Sequence, residues 1–277
     1  TTRTVDGDGK AVGGFSSLVI SVSNESATIS GDPSVTIRRG RLTGGANTVK
    51  VDSGTLSIEG GELVNYTQNV VLTYGSNATI TSGTLTLENP VRNDGGNCAI
   101  VYASSDKDGT EGSGTVTIDG GTFKVVGTAE DAVISGVRAV ANADVTVNDV
   151  TLETTENGLF NNDVLTEGSA QVSVSSTAGL NEPAGAVASI ETDGTITYFT
   201  TLHAAFAAAQ NGDTVVLLGD VNLTEALTID KKVTIDLAGH TVRAEGTAAN
   251  ITVDVTIESS EDNGAIVYIG DGADHGL

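Results

Sequence analysis

The chain has 277 residues, room for one large β domain or two smaller ones, with 35 Gly, 4% aromatics and neither Met nor Trp. Its formal charge is −23, from 36 acidic against 13 basic residues; that argues against nucleic acid, which needs basic stripes, and against an anionic membrane surface. A single cysteine, Cys98, excludes an intrachain disulfide.

Thr and Val recur throughout and favour strands. Few aromatics argue against a sandwich core and suit rows of small and β-branched side chains. The start at Thr1, without Met or an apolar leader, reads as a piece processed or excised from a longer protein. Near that start, DGDGK offers Asp6 and Asp8 as weak calcium ligands.

From Ser34 onward one pattern repeats: two apolar residues flanking a polar one, then a Gly or Asn turn. It occurs as SVTIRRGRL, TLSIEGGEL, TLTLENPV, TVTIDGGTF, DVTVNDVTL and QVSVSS. The first apolar positions, Val35, Leu56, Leu85, Val116, Val145 and Val172, lie 21, 29, 31, 29 and 27 residues apart. Steps of elastic length predict a parallel β-solenoid whose strands stack while its loops vary. Alternation places Val35/Ile37, Leu56/Ile58, Leu85/Leu87, Val116/Ile118 and Val145/Val147 inward. Thr36, Ser57, Thr86, Thr117 and Thr146 then face outward. Gly60-Gly61 and Gly120-Gly121 suit a tight corner, followed by the inward residues Leu42, Leu63, Phe123 and Leu152. A second strand row follows in NTVKVD, NVVLTYG, CAIVYA and DAVISGVRAV.

Cys98, inside NCAIVYA, reads as a small buried hydrophobe. The insertion between Val91 and Gly114 is the expected recognition loop, since solenoid loops commonly carry binding. It contains Tyr102, whose ring can stack on a sugar; Tyr66 and Tyr74 on the preceding round extend that surface if they face outward. Asp106, Asp108 and Glu111, in SSDKDGTEG, offer hard oxygen ligands to calcium. The same three also read as a solvated acidic loop, so no cofactor is required and Ca2+ is the one candidate ion. Arg38, Arg39 and Arg41 flank a corner and read as balancing nearby acids.

These features predict a first solenoid segment over 1–181, a linker or hairpin over 182–198, and a second segment over 199–277. The second opens on a helix near 201–210, capped by Thr200 or Thr201 and ended by Gly212 as its C′ glycine. Leu202, Phe206 and Ala209 share its apolar face. Lying on a coil stack, this helix is expected to cap an end that would otherwise invite aggregation. Val233, Ile235 and Leu237 then point inward, and Thr234 and Asp236 outward.

The stretch FTTLHAAFAAAQNGDTVVLLGDVNLTEALTIDKKVTIDLAGHTV resembles the opening of pectin-lyase-like parallel β-helix domains in surface proteins of Gram-positive bacteria. Its Gly212-Asp213 turn and Asp236-Leu237-Ala238-Gly239-His240 stand where that pattern has them. The resemblance implies an all-β, right-handed parallel β-helix with one short capping helix, at the cell surface or secreted, joined to further β-helix units of the same parent chain. It also implies an adhesin-like or stalk role, binding a host or environmental glycan or protein through loops. Polysaccharide lyases and glycoside hydrolases share the fold and form the alternative; a purely structural spacer is the third reading. Outward positions carry Thr and Ser rather than a carboxylate cluster. His240 and Asp236 read as part of a turn rather than a catalytic dyad. The chain is therefore expected to be non-catalytic, without membrane insertion.

Overall fold

The computed structural model describes residues 20–22, 34–52, 54–90, 97–104, 114–127, 132–155, 158–245, 256–260 and 265–269. The chain divides into two compact units, Thr1–Ala184 and Gly185–Leu277. It is mostly β, with strands in parallel sheets and, among the described residues, one short helix.

The first unit holds β1 (Ile20–Val22), β2 (Ser34–Ile37), β3 (Arg41–Thr43), β4 (Asn47–Val51), β5 (Thr55–Asn65), β6 (Asn69–Tyr74), β7 (Asn77–Glu88), β8 (Cys98–Ser104), β9 (Thr115–Val126), β10 (Ile134–Val140), β11 (Asp144–Glu153), β12 (Asn162–Thr166) and β13 (Gln171–Ser175). From β4 onward the chain alternates between two sheets. One runs β2-β5-β7-β9-β11-β13, with β3 also on β5; the other runs β1-β4-β6-β8-β10-β12. The pairings within each are parallel.

Parallel register stacks like on like. In the first sheet Ile37, Ile58, Ile80, Ile118, Val147 and Val174 form one buried file. In the second, Val49, Val71, Val101, Val137 and Val164 form another. Fully burying one such side chain contributes about 1.5–3 kcal/mol, which explains how a chain so poor in aromatics builds a core. Cys98 is buried as expected, with its Sγ 3.3 Å from the Thr67 carbonyl oxygen.

The long strands β5, β7 and β9 bend at glycine corners. A Cβ on Gly60 would lie 2.5 Å from the Arg38 carbonyl oxygen, and Gly61 has φ +94°, so the close approach of neighbouring backbones admits only glycine. Beyond the bend, Leu42, Leu63, Leu85, Phe123 and Leu152 align.

That alignment corrects one register. Leu85 and Leu87 belong after the corner, and the partners of Leu56 and Ile58 are Ala78 and Ile80. The repeat unit is NATITSGTL rather than TLTLENPV, with Ser82-Gly83 as its corner. Ala78 lacks the bulk that marks a core position in sequence, which hid it. Consequently Thr79, not Thr86, lies in the outward hydroxyl file with Ser57 and Thr117, and Thr86 is buried.

Asn65 organises the turn between β5 and β6. It is fully buried. Its amide nitrogen donates to Thr48 Oγ1 at 3.2 Å and Gly45 O at 3.3 Å, and its Oδ1 accepts from Thr67 N at 2.8 Å and Gln68 N at 2.9 Å. Asn69 donates to Asn47 Oδ1 at 2.8 Å and accepts from Ala99 N at 3.1 Å. Buried amides are tolerated here because adjacent rounds satisfy them.

The second unit holds β14 (Ala188–Thr192), β15 (Thr195–Phe199), α1 (Leu202–Ala208), β16 (Thr214–Leu217), β17 (Val221–Leu223), β18 (Thr234–Asp236), β19 (Thr241–Glu245), β20 (Thr256–Glu258) and β21 (Ala265–Ile269). β14 and β15 form an antiparallel hairpin turned by Asp193-Gly194, both at positive φ. β14 also pairs antiparallel with β16 and so closes an edge of the parallel set β16-β18-β20. A second parallel set runs β17-β19-β21. β14 thus covers the backbone edge of β16, and α1 lays Leu202, Ala205 and Phe206 on a core shared with Phe199, Leu217, Val233, Ile235 and Leu237.

Thr201 caps α1, its hydroxyl accepting from Ala204 N at 3.1 Å. Gly212 does not end it. The chain turns extended at Ala209, and Lys231 Nζ donates to the Phe206 and Ala207 carbonyl oxygens at 3.3 and 2.8 Å. A cation reaching the last carbonyls replaces the glycine cap. Gly212 serves the following turn instead, donating its N–H to Lys232 O at 2.7 Å.

Candidate functional site

The residues that come together on the first unit lie across β4, β6, β8 and β10. Pairing sets Lys50 opposite Leu72, Leu72 opposite Tyr102, and Tyr102 opposite Arg138. Tyr74, two residues beyond Leu72, shares its face. The Tyr74 and Tyr102 rings meet edge to face, with centroids 6.5 Å apart and planes at 69°. Lys50 Nζ lies 5.3 Å from the centroid of Tyr74, and Arg138 Cζ lies 5.1 Å from that of Tyr102. The order along the strip is cation, ring, ring, cation.

Each cation is tied down on its other side. Lys50 Nζ donates to Asp52 Oδ2 at 2.6 Å, and Arg138 Nε donates to Glu167 Oε2 at 2.6 Å. The cation side chains are only 16% and 17% exposed, so these contacts are less screened than ordinary surface pairs. Cation–ring contacts contribute about 0.5–2 kcal/mol each, and the edge-to-face pair about 0.5–1.5 kcal/mol. Two cations and two carboxylates leave the strip neutral. Its chemical offer is two half-buried aromatic rings in fixed orientation, bordered by hydrogen-bonding groups.

Of the three tyrosines read from sequence, the structure joins Tyr74 to Tyr102. Tyr66 sits in the turn before β6. At about 3.3 Å per residue, the strand between them places it roughly 15 Å or more from Tyr74. Lys50 and Arg138 were not read from sequence as site residues. Both stand in the second strand row, and aligning that row would have set Arg138 against Tyr102.

Asp106, Asp108 and Glu111 lie outside the described residues, as do Asp6 and Asp8. Among the described residues no group of His, Cys, Asp and Glu is placed to hold a metal ion, and no helix is long and apolar enough to cross a membrane. Arg38 pairs with Glu59 at 2.8 Å and Arg41 with Glu62 at 3.1 Å, both exposed, which matches the structural reading for these two arginines.

In the second unit Asp236 and His240 form no dyad. Asp236 Oδ1 accepts from Ala238 N at 2.9 Å and Ser260 N at 2.8 Å. Burial pushes its carboxyl up, but these hydrogen bonds and one from the Ser260 hydroxyl outweigh it, holding it below the usual carboxylate range. His240 instead places Nδ1 3.7 Å from Asp220 Oδ1.

Comparison with protein families, with curated proteins and with solved structures finds no match to the chain.

Proposed function

We propose that this protein is a non-catalytic extracellular module, adhesin-like, built on a right-handed parallel β-helix of the pectin-lyase-like kind, and that it binds a saccharide at the Tyr74–Tyr102 strip. The observation that carries the reading is the ring pair itself, held on adjacent strands and clamped from both ends by Lys50 and Arg138. Rigid aromatic groups supply contact area at little cost in conformational entropy, and a pyranose presents C–H faces that stack on such rings. The alternation of parallel strands between two sheets supports the β-helix. The acidic charge and lone buried cysteine suit an extracellular bacterial protein. Residues 105–113, which follow β8 directly in sequence, hold the recognition loop expected from the sequence.

A glycan array on the whole chain, followed by titration of the strongest ligand, tests this. Tyr102→Ala and Tyr74→Ala are each expected to weaken binding about tenfold, the scale of one lost stacking contact of about 1.4 kcal/mol. An array without signal, or binding indifferent to both substitutions, overturns the assignment. Release of reducing ends or unsaturated uronate from pectin would overturn the non-catalytic reading.

A further inference from the structure

The second unit contains a cleft of about 320 Å³ that the tyrosine strip does not involve. One wall is the entry to α1, with Leu202 and His203. The other is the segment from Asp220 to Glu225. Leu202 and Leu223 are buried and give the cleft an apolar lining. Its polar lining sets the Asp220 and Glu225 carboxylates beside Asn222 and the hydroxyls of Thr200, Thr201 and Thr224, and neither Lys nor Arg takes part.

Two of these groups are fixed before any ligand arrives. Asp220 Oδ1 accepts from Thr241 N at 2.8 Å, which anchors the carboxylate by one oxygen. His203 Nε2 lies 3.0 Å from the Ala226 carbonyl oxygen, so in the neutral ring Nε2 carries the proton and donates, and Nδ1 is left as a further acceptor. A concave site with an apolar lining and a few convergent polar groups is the usual form of a small-ligand pocket. Charge decides which ligand. Anions meet two carboxylates, of which Asp220 alone has a basic ring beside it, His240 Nδ1 at 3.7 Å from Oδ1, and a neutral alcohol uses the apolar lining but brings no charge to oppose them.

We infer that this cleft binds a primary alkylammonium group, its chain on Leu202 and Leu223 and its ammonium between Asp220 and Glu225. The group could arrive on a free amine or on a lysine side chain, and the two sources present the same chemistry. The inference is independent of saccharide binding at the tyrosine strip.

The test is methyl NMR of the whole chain titrated with cadaverine, with 1-pentanol and valerate as the neutral and anionic isosteres, and with Nα-acetyl-lysine methylamide as the side-chain source. Either amine should perturb Leu202 and Leu223, and the isosteres should not. Glu225→Gln should weaken the amine about fivefold, as expected for one partly exposed charge contact. Asp220→Asn, which keeps an acceptor for Thr241, should do the same, while Tyr102→Ala should change nothing. A response to the lysine derivative alone assigns the site to a protein side chain. The inference is overturned if pentanol binds as well as cadaverine or if neither amine gives a response at about 10 mM. It is equally overturned if the shifts spread over the acidic surface and survive both substitutions.

Discussion

The first unit repeats one operation: the chain adds a strand to one sheet, crosses, and adds a strand to the other, always in parallel. The second unit opens differently, with an antiparallel hairpin and a seven-residue helix before its parallel strands begin. Its strands are shorter, three to five residues against as many as twelve. Long in-register strands let the first unit draw its core from files of apolar residues stacked one on the next. Short strands cannot do so, and the second unit gathers side chains from helix, hairpin and turns into one cluster. The contrast teaches that a repeat supplies its own specificity through register, whereas a non-repeating segment needs individual caps and tethers such as Thr201 and Lys231.

The largest expected effect on this contrast comes from the aromatic cores. Phe123→Ala should cost about 3–5 kcal/mol, read as lost amide protection in residues 34–175, and Phe206→Ala should cost a similar amount, read over 188–237. If both substitutions erased protection everywhere, the two regions would be one cooperative body and the contrast would fail. Next comes the corner. Gly121 has φ +103° and a Cβ there would sit 3.2 Å from Gly83 O, so Gly121→Ala should destabilise the first unit by about 1–3 kcal/mol in denaturant titration. Individual tethers come third. Thr201→Ala should cost about 1 kcal/mol, and Lys231→Met about the same, each measured by amide exchange in α1.

The smallest effect is in pH, and it has opposite sign in the two units. Burial raises the Asp144 carboxyl. The folded first unit therefore holds that proton more tightly than the unfolded chain, and at this residue its stability rises as pH falls through the raised value. Asp236 is held low by its hydrogen bonds, which outweigh burial. Its contribution is present above the unfolded carboxylate value of about 3.9 and is lost as pH falls through the depressed folded value. Urea titrations from pH 7 to 2 should show Asp144→Asn stabilising the first unit at neutral pH and Asp236→Asn destabilising the second, with both differences shrinking in acid. Two differences of the same sign would show that local environment does not govern these groups.

Much of the first unit is legible in its sequence because the alternation of apolar and polar residues is also the alternation of buried and exposed ones. The second strand row and the corner glycines follow from the same pattern. The misplaced register at Leu85 shows the limit: a core position filled by Ala78 gives no hydrophobic signal, so the nearest strong pair, Leu85 and Leu87, takes its place. Contacts between rounds are harder. Lys50, Tyr74, Tyr102 and Arg138 are separated by 24, 28 and 36 residues, and only the register brings them into a strip. In the second unit the helix and its N-cap are visible, but its true stop is Lys231, 23 residues beyond Ala208, which no local signal marks. The cleft is invisible for the same reason, since Leu202 and Leu223 meet only through folding.

One corner of the first unit behaves unlike the others. The links from Val51 to Thr55, Tyr74 to Asn77, Val140 to Asp144 and Thr166 to Gln171 span two to four residues, yet the equivalent link from Ser104 to Thr115 spans ten. The strands on either side keep their partners regardless. Doubling the length of a link costs only about 0.6 kcal/mol in closure entropy, so lengthening the stretch between Ser104 and Thr115 is expected to leave the pairings of β8 and of β9 in place. The register that assembles the Tyr74–Tyr102 strip is thus independent of how long that stretch is.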